Sequence, residues 1–169
     1  MAGRTSRVTR GARVSAPMPD SIAMFGALSF LAAHCPLHSR LHAGLLRQLF
    51  LPAAEHNCVR LFQNNKGVPC AALIWARLSD EVSEKMVYDN LPPSPEDWKS
   101  GSNLWFLDLI APFDHGVEVA RHIARNPPDG PFYFGRIGVD GKIRKVVHAD
   151  ASKGRRGRVN SYVIRRMAA

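Results

Sequence analysis

Residues 104–111 read Leu-Trp-Phe-Leu-Asp-Leu-Ile-Ala, an apolar run broken by a single carboxylate. A short run of this kind, rich in aromatic and branched side chains and bounded by Ser102-Asn103 and Pro112, reads as a buried strand. With strict alternation Asp108 shares a face with Phe106 and Ile110, while Trp105, Leu107 and Leu109 use the other. Both faces are apolar, so the strand needs cover on both sides and Asp108 is expected to be desolvated. A buried carboxylate costs several kcal/mol unless it finds a dedicated partner. That partner is either structural, an arginine or backbone amides fixing the strand, or chemical. The run alone leaves both open.

Other segments supply the cover. Asp20 or Ser21 can cap a helix over 21–34, in which Ile22, Phe25, Leu28 and Leu31 recur at helical spacing. Cys35-Pro36 ends it, because a proline disfavours helix in the residue before it. A second amphipathic segment, 42–50, turns Leu45, Leu46, Leu49 and Phe50 inward. Residues 58–63 and 68–76 are strand-like and flank Asn64-Asn65-Lys66-Gly67, a strong hairpin turn. A helix over 79–89 has Ser79 as cap and the Glu81–Lys85 pair, and Ser94 with Asp97 forms a capping box. Residues 115–125 read as a helix, and 132–138 with 143–149 as a hairpin around Asp140-Gly141. This order predicts an α+β or α/β sheet with helical cover.

The 169 residues suit one domain, assigned to 20–150, with a basic leader at 1–19 and a basic tail at 151–169. The net charge of +9 sits at these ends. Arg4, Arg7, Arg10 and Arg13 face no acid in the leader, Lys153, Arg155, Arg156, Arg158, Arg165 and Arg166 crowd the tail, and residues 20–149 balance to zero. Basic tails attract acidic partners through screened Coulomb forces. No RNA-binding signature with interleaved aromatics accompanies them, so nucleic acid is not an expected partner. Cys35, Cys58 and Cys70 are odd in number with no CxxC pair, which fits a reducing cytoplasm better than a disulfide or zinc framework. The leader holds no apolar stretch of signal-peptide length, and Ile22–Ala33 is too short to span a bilayer.

His38 follows the Cys35-Pro36 break, where a turn can present it, and histidine suits general-base work near neutral pH. It is one of seven histidines, with His34 and His42 at spacings of four. Pro36 breaks the helix that would align these three on a metal, so no metal site is expected. There is no Gly-x-Ser-x-Gly elbow, Walker A loop or His-Glu-x-x-His. The phosphate-cradling loop of GNAT acetyltransferases is also missing, which disfavours a free-standing coenzyme A acetyltransferase.

Three segments together resemble the RTX toxin-activating lysine acyltransferases, the hemolysin-activator family. Cys35-Pro36-Leu37-His38 is similar to its Ser-Pro-Leu/Met-His motif, and Val68–Ala76 to its Val-Ala-Tyr-Cys-Ser-Trp-Ala strand. Glu96–Gly101 with Trp105–Phe113 is similar to Asp-Trp-x-x-Gly…Trp-Phe-Ile-Asp-Trp-Ile-Ala-Pro-Phe, and Arg136–Asp140 is a weaker echo. The resemblance implies a GNAT-like α/β sandwich with a central, mostly antiparallel sheet flanked by helices. It implies transfer of a fatty acyl chain from acyl carrier protein to internal lysines of an RTX protoxin, with no cofactor beyond that co-substrate. His38 and Asp108 are its catalytic pair, and Cys35, Trp75, Trp105 and Phe106 the expected substrate-binding residues. A homodimer is compatible with it; stable membrane insertion is not expected. Three departures stand out: Cys35 replaces a serine, Leu41 a tryptophan, and Leu49 an asparagine whose role Gln48 could take. The alternative is a divergent, non-catalytic member that binds an acyl chain or a protein partner.

Overall fold

Pro19 sets the start of the first helix, because its fixed φ suits the first helical position and its missing N–H is not needed there. The computed structural model describes residues 17–138, 142–153 and 159–163. Most of the basic leader, the Asp140-Gly141 turn and the tail arginines 155, 156, 158, 165 and 166 lie outside the described residues. Helix α1 spans Pro19–His34 with Met18 at its N-cap and no side-chain cap, so neither Asp20 nor Ser21 takes that position. Leu28 and Leu31 bury fully and Phe25 packs against the core, whereas Ile22 stays 54% exposed. Helix α2 spans Ala43–Glu55, five residues beyond the expected end, and passes through Pro52. The continuation buries Ala53 and Ala54 as well as Phe50, which offsets the one donor that a proline removes.

The expected hairpin forms from β1 (Val59–Gln63) and β2 (Pro69–Leu78). Asn64 Oδ1 accepts from the amides of Lys66 and Val68, and Gly67 adopts φ +76, a conformation that glycine takes without a Cβ penalty. The helix expected over 79–89 divides into α3 (Asp80–Glu84), capped by Ser79, and a π-helical turn Lys85–Asp89. The Ser94–Asp97 capping box opens a 3₁₀ turn, Pro95–Lys99. At Gly101 a Cβ would meet Leu78 O at 2.5 Å, while the Gly101 amide donates to Arg77 O. That part of the family-like motif is thus scaffold: it locks the entry to the next strand against the end of β2.

Strand β3 spans Asn103–Ile110, α4 Gly116–Arg125, β4 Pro131–Ile137, β5 Ile143–Asp150 and β6 Val159–Val163. The six strands lie in sequence order and pair antiparallel, except that β3 and β4 run parallel and pair only over residues 104–106 and 132–134. This is the expected α+β fold with a mostly antiparallel sheet. Helices α1 and α2 cover one face, and their Leu28, Leu31 and Phe50 join Ile74, Trp105 and Ile110 in the main core. The other face carries a smaller core of Leu104, Phe132 and Ala149, with Ile123 of α4 packed on it.

Strand β6 corrects the reading of 151–169 as a basic tail. Val159–Val163 pairs with β5 and widens the sheet, although all five residues are exposed. The surrounding arginines dominate the composition of that stretch, and a five-residue edge strand with no buried face leaves no alternation to detect.

Trp105 is 3% exposed, stacks on Tyr133 at 5.2 Å and donates its indole N–H to Ser83 Oγ at 3.0 Å. Ser83→Ala strands that buried donor at a cost of about 1–3 kcal/mol. Urea denaturation should show the loss, with the specific activity of the folded fraction unchanged.

Candidate active site

Local sequence places His38 beside Cys35. Pro36 forces Cys35 into an extended conformation (φ −93, ψ 121), which ends α1. The chain then turns back on itself: Cys35 O accepts from the amides of His38 at 3.0 Å and Ser39 at 2.8 Å. The imidazole is thereby folded under the turn, 5% exposed, with the Phe50 ring of α2 at 6.4 Å behind it. Its Nδ1 lies 3.1 Å from Cys35 Sγ.

Asp108 reaches the same place through an irregularity in the sheet. Ile74 pairs with Asp108 but Trp75 pairs with Phe106, so Leu107 is an extra residue on β3. This bulge breaks the strict alternation and moves Asp108 away from the face of Phe106. It joins Ile74, Trp105 and Ile110 under α1 and α2 instead. The expected face is corrected in part, since Asp108 keeps the face of Ile110 but not that of Phe106, and the expected desolvation is incomplete, since the Asp108 side chain is 27% exposed. Bulges re-aim side chains next to functional sites, and an alternating pattern carries no mark of them.

The two side chains meet across 70 residues of sequence. His38 Nε2 donates to Asp108 Oδ2 at 2.7 Å, in the short range of charge-assisted bonds. Burial pulls the His38 pKa down, but the hydrogen bond and charge of Asp108, helped by Cys35, outweigh it and hold the imidazole at about 9. Burial likewise pushes the Cys35 thiol up, and the hydrogen bonds and charge from His38, with the Leu37 amide, bring it below its ordinary value. The result is a line of three groups, carboxylate to imidazole to thiol, able to orient a base, stabilise an imidazolium and favour a thiolate.

The remaining expected residues lie elsewhere. Trp105 is in the main core, held by Ser83. Trp75 and Phe106 pair across β2 and β3 on the opposite face of the sheet. There they line a groove with Arg60, Leu73 and His122. Leu49 packs against the main core and Gln48 is exposed. His34 and His42 each have their own local partner, Phe30 O and the Leu45 amide. Among the described residues, no group of three or more His, Cys, Asp or Glu is placed to hold a metal ion. Sequence reasoning missed Phe50 as the wall behind the imidazole, because a helical aromatic at core spacing gives no sign of what else it touches. An exposed aromatic cluster of Phe30, His34 and Phe113 joins the last turns of α1 to the segment after β3. Among the described residues no helix is long and apolar enough to cross a membrane.

The family model of the RTX toxin acyltransferases (HlyC) matches residues 18–162. The chain belongs to the RTX toxin acyltransferase family. Its similarity to individual members of that family is moderate. It is 34% identical over 102 residues to the lysine-acyltransferase RtxC of Vibrio cholerae, covering 60% of this chain and 67% of that protein. It is 33% identical over 123 residues to the RTX-I toxin-activating lysine-acyltransferase ApxIC of Actinobacillus pleuropneumoniae, covering 73% and 71%. The RTX-III toxin-activating lysine-acyltransferase ApxIIC of the same organism aligns over 150 residues at 27% identity, covering 89% and 83%.

The raised His38 pKa has a stability consequence. A group whose folded pKa lies above its unfolded value stabilises the fold fully below the unfolded value, 6.5, and loses that contribution as pH rises through about 9. Asp108→Asn removes the main cause, so an NMR titration should show the imidazole pKa falling. The stability gap between the wild type and this variant should be full below pH 6.5 and close as pH rises through about 9.

Proposed function

We propose that this member of the RTX toxin acyltransferase family moves a fatty acyl group from acyl carrier protein to internal lysines of an RTX protoxin. The observation that carries the reading is the 2.7 Å bond between His38 and Asp108 in a chain that matches the family over residues 18–162. His38 receives the proton that the lysine nitrogen must lose to attack a thioester. Asp108 holds the ring in position and stabilises the imidazolium that results.

Further features support the reading. The relatives are named toxin-activating lysine acyltransferases. The basic residues at both ends of the sequence suit an acidic carrier protein, whose approach they would steer. The exposed apolar surface at Phe30, Leu37 and Phe113 suits a donor that carries a long hydrocarbon chain. All three cysteines are free, in keeping with a reducing cytoplasm.

Co-expression with an RTX protoxin, followed by intact-mass measurement of the toxin, tests the proposal. The expected result is a fatty-acyl increment on one or more lysines. His38→Ala and Asp108→Asn should each reduce it by about 100-fold or more, the usual contribution of a positioned acid–base group. A toxin that gains no acyl mass beside the wild-type protein would reject the function; full activity in His38→Ala would reject the mechanism.

A further inference from the structure

Both nitrogens of His38 are engaged. Nε2 donates to Asp108, and Nδ1, the nitrogen left for chemistry, is directed at Cys35 Sγ at 3.1 Å rather than at open solvent. Cys35 is half-buried, whereas Cys58 and Cys70 are 5% and 7% exposed and their thiols donate to backbone carbonyls, of His56 and Phe62, rather than meeting an imidazole. An imidazole held at about 9 is protonated near neutral pH. In that state it is a poor acceptor for a lysine proton but a good stabiliser of a neighbouring thiolate, and the Cys35 thiol is displaced in the corresponding direction.

We infer that Cys35 is the covalent acyl carrier of this enzyme, so that transfer runs through a Cys35 thioester in a double displacement. The inference rests on the acyltransferase reading and deepens it. In the first half, the Cys35 thiolate attacks the carbonyl of the donor thioester. A carbon–sulfur bond to Sγ forms, the donor's carbon–sulfur bond breaks, and the donor sulfur leaves with the proton held on His38 Nδ1. One thioester replaces another, so the step is nearly level in energy, and it leaves the imidazole neutral. In the second half, the lysine amine attacks the Cys35 thioester. The carbon–nitrogen bond forms, the bond to Sγ breaks, Sγ departs as thiolate, and the amine's proton goes to His38 Nδ1. The resting pair is restored and no other reactant is needed. This order also explains how a histidine with so high a pKa becomes a base: the donor's sulfur removes its proton just before the lysine arrives.

The test uses the full chain with myristoyl-acyl carrier protein as donor and an RTX protoxin as acceptor. Incubation without acceptor, acid quench and peptide mapping should place the acyl mass on the Cys35 peptide, labile to neutral hydroxylamine, with the Cys58 and Cys70 peptides unmodified. Cys35→Ser keeps a hydrogen-bonding partner for Nδ1 but replaces the sulfur nucleophile. It should unfold like wild type and transfer acyl to the protoxin about 100-fold or more slowly. Full transfer by Cys35→Ser, or an acyl group found on His38 instead of Cys35, overturns the inference and leaves the acyltransferase reading intact. A wild-type protein that acylates neither itself nor the protoxin overturns both.

Discussion

A carboxylate placed in an apolar strand needs a hydrogen-bonding partner, and here the partner comes from a turn 70 residues earlier in the chain. The bond between Asp108 and His38 therefore joins two layers. It ties the α1–α2 connection to the third strand and fixes which imidazole nitrogen remains for chemistry. Everything else around it works to hold that geometry: Pro36 tightens the turn, Phe50 backs the ring, and the Leu107 bulge brings Asp108 to the helix-covered face. Removing Asp108 leaves His38 with Cys35 Sγ as its side-chain partner, and removing His38 leaves the partly buried Asp108 carboxylate without this bond.

Much of this architecture was legible in the sequence, and the failures are informative. The hairpin at Asn64–Gly67, the Ser79 cap, the Ser94–Asp97 box and the strand around Asp108 all carry local signals: turn chemistry, capping residues or an apolar run. What could not be read depends on tertiary context. Alternation assigns Asp108 to the face of Phe106, and only the pairing of β3 with β2 reveals the extra residue that changes it. The extension of α2 through Pro52 and the edge strand Val159–Val163 fail for related reasons. Core burial overrides a helix breaker in one, and backbone pairing forms without a buried side-chain pattern in the other.

The candidate site divides between physics and resemblance. Asp108 is conspicuous as a carboxylate in an apolar run, whereas His38 stands out among seven histidines only through the motif that holds it. That motif has a local cause, the Cys35-Pro36 break, which places thiol and imidazole together on a five-residue turn. The aromatic residues of the same family-like segments divide differently. Trp105 is a core pillar, and Trp75 and Phe106 belong to the opposite face, so proximity in a motif is not proximity in space.

The parallel junction between β3 and β4 pairs over only three positions, and side chains reinforce it. Trp105 stacks on Tyr133 on one face of the sheet, and Phe106 lies 4.8 Å from Phe132 on the other. The sheet is thus two antiparallel units, β1–β3 and β4–β6, riveted by aromatic rings along a short seam. Beyond those three positions no backbone ladder joins the two units among the described residues. His38, Asp108 and Cys35 all belong to the first unit and its helices, while Val146 of β5 and Tyr133 of β4 reach into the same main core, so side-chain packing rather than the backbone ladder ties the second unit to the site.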